Sequence, residues 1–101
     1  MEIGDHWTVW PFPDPPETEI FTTRAVIEEG ERIKFVTHDA EDGAWQFMHS
    51  DKLDVDDVVM VTFRDIIRHD PTLMILAKLP PGWGAIRQTP SPYFEWIPIG
   101  K

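Results

Sequence analysis

The sequence predicts an α+β domain built on a single, mainly antiparallel sheet of about five strands, with two or three short helices mostly on one face. Three observations lead to this fold class. Short runs rich in β-branched and aromatic residues recur along the chain, turn residues separate these runs, and two other segments have apolar residues at helical spacing beside capping residues. We expect the domain to span residues 20–101, a length that can bury a core without disulfides.

Residues 1–19 are expected to form an extended arm ahead of this domain. Four prolines between positions 11 and 16 disfavour a helix and remove donors that a sheet would need. We expect the large apolar side chains of the arm to pack across the edge of the domain. A contact with another chain, a disordered arm and a motif for a proline-reading module stay open. The side chains concerned are Trp7, Trp10 and Phe12.

A hairpin with its loop at residues 39–43 is the clearest pair of strands in the sequence. The runs on either side are rich in β-branched and aromatic residues, and the loop has hairpin length. This loop sets Phe35 opposite Phe47 and Thr37 opposite Trp45. The register predicts one apolar face, with Trp45 as a core anchor, formed by Ile33, Phe35, Trp45 and Phe47.

The elements around the hairpin follow from their composition. Residues 19–22 favour a short strand, and residues 23–30 favour one or two helical turns because they begin with threonine and end with glycine. Residues 50–57 are polar and acidic, which predicts a surface loop with at most one helical turn. The continuous apolar run at residues 58–63 predicts a strand buried on both faces near the centre of the sheet.

Two helices in series and two more strands are predicted after that run. An apolar pattern with helical spacing stops before Asp70, because the residue preceding a proline is disfavoured in a helix. Asp70 and Pro71 then begin the second helix, since aspartate is a favoured cap and proline a favoured first residue. Strands are predicted at residues 84–88 and 93–97, with prolines in the turn between them that place the pair at a sheet edge.

The net charge of −9 is unevenly distributed along the chain. Residues 38–57 contain seven acidic residues and one lysine, whereas residues 58–101 carry a net charge of +2. Nucleic acid is not an expected partner, because binding it requires positive charge to neutralise phosphates. A basic protein would be attracted by this field, although acidity that only keeps the protein soluble is the simpler explanation.

No residue pattern in the sequence indicates catalysis, a cofactor or a metal ion. There is no cysteine, and the predicted hairpin separates His38 from His49 by about 16 Å, which is too far for one metal ion. The acidic residues 51–57 lack the glycine and glutamate of an EF-hand loop. Residues 81–84 do not match a phosphate-binding loop. We therefore expect a protein without enzyme activity or cofactor, whose fold needs no metal ion.

A cytoplasmic location is also expected. No apolar run reaches membrane-spanning length, the first residues lack the pattern of a signal peptide, and the absence of cysteine is typical of a reducing compartment. We expect no contact with a membrane. The oligomeric state stays open.

Short motifs between residues 20 and 97 provide a further indication. They are Gly43-Ala44-Trp45-Gln46-Phe47, Asp70-Pro71-Thr72-Leu73, Leu79-Pro80-Pro81-Gly82 and Ala85-Ile86-Arg87, with Trp96 near the end. In kind and order these motifs resemble a family of small bacterial proteins long labelled a domain of unknown function. Members of that family are described as predicted immunity proteins of polymorphic toxin systems.

The resemblance implies an intracellular binding protein that neutralises a toxin. It assigns no catalytic residues to this chain. The acidic charge independently suits a basic toxin such as a nuclease. Two other classes stay open, a housekeeping or regulatory interaction domain and a small metal-free hydrolase. The residues expected to contact a partner are Asp51, Asp54, Asp56, Asp57, Trp7 and Trp10.

Overall fold

In the computed structural model, residues 10–52, 54–88 and 93–99 are described, and they form one six-stranded sheet. The order across the sheet is β4-β1-β3-β2-β5-β6, and all neighbouring pairs are antiparallel except the parallel pair β1 and β3. The predicted α+β class with one mainly antiparallel sheet is confirmed, with six strands instead of about five. The strands are β1 (Glu19–Thr23), β2 (Phe35–His38), β3 (Trp45–Met48), β4 (Val58–Thr62), β5 (Trp83–Ile86) and β6 (Glu95–Pro98). Trp7 and the turn predicted at residues 89–92 lie outside the described residues.

The helices begin and end at the capping residues that the sequence contains. Helix α1 (Arg24–Glu29) is capped by Thr23, whose Oγ1 accepts a hydrogen bond from the Val26 amide, and it ends at Gly30 with φ of 74°. Helix α2 (Phe63–His69) stops before Asp70, as predicted. The next segment, Pro71–Leu76, is a 3-10 helix capped by Asp70. A shorter 3-10 helix, Val55–Asp57, precedes β4. In the described part of the chain, no helix has the length and apolarity needed to cross a membrane.

One hydrophobic core lies between the sheet and the helices. Strands β1, β2, β3 and β5 contribute side chains from one face of the sheet, and α1, α2 and the 71–76 helix cover that face. Phe12 of the arm is only 4% exposed and belongs to the same core. The buried apolar residues are Phe12, Ile20, Val26, Ile33, Val36, Trp45, Phe47, Phe63, Ile66, Ile67, Leu73, Leu76, Leu79 and Ala85.

The predicted register of the β2–β3 hairpin is wrong by one residue. Phe47 pairs with Val36 and not with Phe35, so that Phe35 lies on the opposite face of the sheet from Trp45. Because Trp45 is paired with His38 and not with Thr37, residues 39–44 connect the two strands instead of residues 39–43. The Asp39 amide donates to the Ala44 carbonyl at 2.8 Å across the base of this loop. The burial of Trp45 and Phe47, which the sequence predicted, is confirmed.

The position predicted for β4 is also wrong, because this apolar strand forms one edge of the sheet and not its centre. Val61 packs against the core, but Met60 on the other face is 51% exposed. The continuous apolar run therefore covers two different faces, one under the helices and one open. Phe63, which ends the apolar run and also begins the predicted helical spacing with Ile66 and Ile67, is the first residue of α2.

Candidate functional site

The face of the sheet opposite the helices is open and partly apolar. Cross-strand pairing brings Met60, Phe21 and Gln46 into one row across β4, β1 and β3. A second row places Met48 beside Phe35 on β2. All of these side chains remain partly or largely exposed, because the helices bury their apolar residues against the other face.

A hollow of about 490 Å³ lies on this open face at the β4 side of the sheet. Its wall includes Val55 of the short 3-10 helix, which is 77% exposed. An exposed apolar hollow of this kind is typical of a surface that contacts another molecule. The hollow is lined by the side chains of Phe21, Gln46, Met48, Val55, Val58 and Met60.

Three of the acidic residues predicted to contact a partner, Asp54, Asp56 and Asp57, are chain neighbours of Val55 and Val58 in the wall of this hollow. Asp54 caps the 3-10 helix and accepts a hydrogen bond from the Asp56 amide at 3.1 Å. Asp51, Asp54 and Asp56 are exposed, and Asp57 is half-buried. Val55 stands between these carboxylates, so the segment combines an exposed apolar side chain with a local negative field.

Trp10, predicted to contact a partner as well, is not near the acidic segment. Its ring packs against Phe12 and Phe63, with centroids 5.5 Å apart in each case, and its Nε1 donates to the Asp14 carbonyl at 2.5 Å. Phe63 follows the last residue of β4, whereas the acidic segment precedes the first, so about 17 Å of strand separates them. The structure thus brings Asp54, Asp56 and Asp57 together in one turn, with Trp10 at the other end of β4. Trp7 lies outside the described residues.

Sequence reasoning missed the apolar half of this site. Phe21, Met48 and Met60 come from three strands that meet only through pairing. One signal was present, because apolar residues at consecutive positions of β1 and β4 indicate strands with two apolar faces.

A buried polar cluster joins two of the sequence motifs. The Arg87 guanidinium donates to the Ile33 carbonyl, to Thr72 Oγ1 at 2.8 Å and to Asp70 Oδ2 at 2.8 Å. Burial would raise the pKa of Asp70, but the hydrogen bonds from Arg87 and Thr72 and the positive charge of Arg87 outweigh it and hold that pKa below its usual value. All three guanidinium nitrogens donate in these bonds, so the cluster supports the fold.

His38 and His49 each make a hydrogen bond within the fold. His38 Nδ1 donates to the Leu79 carbonyl at 2.8 Å, because a carbonyl oxygen can only accept. His49 Nδ1 lies 3.0 Å from Thr23 Oγ1. Within the described ranges, no group of three or more His, Cys, Asp or Glu side chains is arranged to hold a metal ion.

Comparison of the chain with protein-family models, with curated proteins and with solved structures found no match. The resemblance carried by the short motifs therefore stays a prediction. Several motif residues have structural roles here, including Asp70, Thr72 and Arg87 in the buried cluster and Leu79 as the acceptor for His38.

Proposed function

We propose that this protein is a non-catalytic binding domain of the cytoplasm that neutralises a basic partner protein, as an immunity protein neutralises a toxin. One observation carries the proposal, which is the apolar hollow on the open sheet face bordered by the acidic residues 51–57.

The two parts of this surface suit a protein partner in different ways. The apolar side chains provide contact area that is removed from water on binding, which is the main source of affinity. The carboxylates of Asp51, Asp54 and Asp56 attract a basic surface and orient its approach, which raises the association rate. The net charge of −9 extends this attraction over the whole molecule and disfavours acidic partners.

The internal polar groups favour binding over catalysis. Arg87 and His38 are buried and used in hydrogen bonds to backbone and side chains of their own fold. Trp10 and Phe12 pack against Phe63, which favours the open sheet face over the arm as the contact surface.

Co-expression tests the proposal directly. An immunity gene is expected directly downstream of its toxin gene, so the probe is the protein encoded immediately upstream of this chain. Its expression should arrest growth, and the wild-type chain should restore growth and form a complex visible by size-exclusion chromatography.

A matched pair of variants assigns the effect to the hollow. Val55→Lys places a cation in the hollow, whereas Ile75→Lys places one on the 71–76 helix at a position that is 52% exposed. We expect Val55→Lys to lose protection and Ile75→Lys to retain it. Equal protection by the two variants, or no arrest by the upstream protein, would contradict the proposal.

A further inference from the structure

Building on the proposed function, we propose that the partner binds by strand addition to the outer edge of β4, beyond which no strand of the described residues lies. The occupant is an extended segment of a basic protein, with apolar residues alternating along one face and lysine or arginine at the end beside Asp56 and Asp57. The inference rests on the backbone of β4, on the contrast between the two sheet edges and on the charge beside the strand.

The backbone of β4 offers hydrogen-bonding groups that its neighbour does not use. The Phe63 amide donates to the Thr18 carbonyl at 2.8 Å, which shows that Phe63, and by alternation Val61 and Val59, turn their backbone groups toward β1. The amide and carbonyl of Met60 therefore point away from the sheet. In the described part of the chain, no strand lies beyond β4 to receive them.

The two edges of the sheet differ in how they resist such pairing. Natural edge strands are usually protected by charged residues, prolines, bulges or very short length. β6 at the opposite edge has Glu95 and Pro98 among its four residues. β4 has five residues, Val-Val-Met-Val-Thr, with neither a charge nor a proline. The β4 edge is thus the one suited to accept another strand.

Side chains of an added strand could pack into the hollow beside β4. Every second side chain of such a strand would point to the face of the sheet that carries the hollow bounded by Val58, Met60 and Phe21. We therefore expect apolar residues at alternate positions of the added strand. Asp56 and Asp57 immediately precede β4 and favour a cation at the adjoining end of the occupant. A second copy of this chain would bring another charge of −9, so repulsion favours a basic partner over self-pairing.

Two capped peptides of seven residues, KVTVTVK and the matched acidic EVTVTVE, serve as probes. Binding is measured by NMR titration, together with hydrogen exchange of the Met60 amide. We expect the basic peptide to bind about tenfold more tightly than the acidic one, as two or more ion pairs would give. Saturation with the basic peptide should slow exchange of the Met60 amide about tenfold or more, because that amide becomes a donor.

A proline at position 60 removes the outward amide without breaking a bond to β1, since proline is tolerated at an edge where its nitrogen faces solvent. Met60→Ala is the control that removes the same side chain and keeps the amide. We expect Met60→Pro to weaken binding of the basic peptide about tenfold relative to Met60→Ala, which corresponds to the loss of one hydrogen bond. Unchanged melting temperature and strand pairing by NMR establish that the proline variant is folded.

Three outcomes of the binding and sedimentation experiments would overturn strand addition. The first is equal affinity of the wild-type chain for the two peptides, and the second is equal affinity of Met60→Pro and Met60→Ala for the basic peptide. The third is self-association of the wild-type chain in sedimentation that Met60→Pro abolishes, because the occupant of the edge would then be a second copy of the chain. The co-expression assay separates this from the proposed function. Neutralisation by Met60→Pro as effective as that by Met60→Ala would refute strand addition alone, whereas peptide binding without neutralisation would refute the immunity role alone.

Discussion

Among single residues, Trp45 connects parts of the chain that are distant in sequence. Its ring stacks on His38 of β2 at 3.9 Å and meets the edges of Phe12 in the arm and Phe63 in α2. Its Nε1 donates to Asp14 Oδ1 at 3.2 Å, so the polar end of the ring is also satisfied. The sequence predicted an anchor at this position with Phe47 as a neighbour, and the two rings are stacked with centroids 5.9 Å apart. The predicted contact with Phe35 is wrong because it depended on the hairpin register.

Replacing Trp45 by alanine should lower the free energy of unfolding by about 3–5 kcal/mol, because the change leaves a large cavity among buried aromatic rings. Chemical denaturation followed by circular dichroism measures the effect. Trp96→Ala is the control, since Trp96 on β6 is 38% exposed and its loss should cost much less. Similar stability of the two variants would refute the anchoring role.

The carboxylate of Asp70 should make stability depend on pH. Asp70→Asn removes the charge that pairs with the buried Arg87 and should cost about 3 kcal/mol near neutral pH. The pKa of Asp70 is lowered in the folded protein, so the ionised carboxylate stabilises the fold above the unfolded value of about 3.9. As the pH falls below that value and through the lower folded pKa, this stabilisation is lost, and the difference between wild type and variant should shrink.

Urea denaturation of both proteins between about pH 7 and pH 3 tests this dependence. Glu31→Gln is the control, because Glu31 is exposed and its replacement should change stability little at any pH. A wild-type advantage over Asp70→Asn that stays constant down to the lowest pH would contradict the assigned role.

At the scale of elements, the parts that could be predicted are those set by local chemistry. Thr23, Gly30 and Asp70 end or begin helices because their own side chains or backbone preferences act on neighbouring residues. Strand pairing depends on residues far apart, so the parallel β1–β3 pair had no local signal. The edge position of β4 had no local signal either, because a continuous apolar run occurs in central strands and in edge strands alike.

The close pairing of β2 with β5 leaves no room for a side chain at Gly84. A Cβ at this position would lie 2.9 Å from Ile99 Cγ2 and 3.0 Å from the Val36 carbonyl oxygen, closer than such atoms normally approach. Gly84→Ala should therefore destabilise the fold by about 1–3 kcal/mol, measured by chemical denaturation. Adding Ile99→Ala should restore part of the loss, because the backbone oxygen of Val36 cannot move away as a side chain can. Full stability of Gly84→Ala would contradict the described approach of these strands.

For the molecule as a whole, the two faces of the sheet differ in what they carry. One face carries the core and the buried Arg87 cluster, and the other carries the hollow. The acidic half of the candidate site could be predicted, since the aspartates are adjacent in sequence. For the apolar half, the sequence indicates only that β1 and β4 have two apolar faces. The surface itself could not be predicted, because it exists only when β1, β3 and β4 lie side by side.

The charge of the acidic segment should control how fast a basic partner associates. Replacing Asp54, Asp56 and Asp57 by asparagine removes three negative charges beside the hollow, and asparagine can still cap the 3-10 helix in place of Asp54. We expect the association rate with the upstream-encoded protein to fall and its dependence on salt to flatten, because steering by charge is screened by ions. The melting temperature should stay within about 3 °C of wild type, since exposed charges contribute little to stability.

The matched control removes the same number of charges at the other end of the sheet. Glu17, Glu19 and Glu41 are exposed, and their replacement by glutamine changes the net charge equally. Glu19 pairs with Thr62 at the far end of β4, about 17 Å along the strand from the acidic segment and beyond the screening length of about 8 Å at physiological salt. Surface plasmon resonance at several ionic strengths compares the two variants. If the position of the charge matters, the association rate falls strongly only for the aspartate variant. An equal fall for both variants would mean that net charge alone attracts the partner. An unchanged association rate for both would show that the acidic segment is not part of the contact.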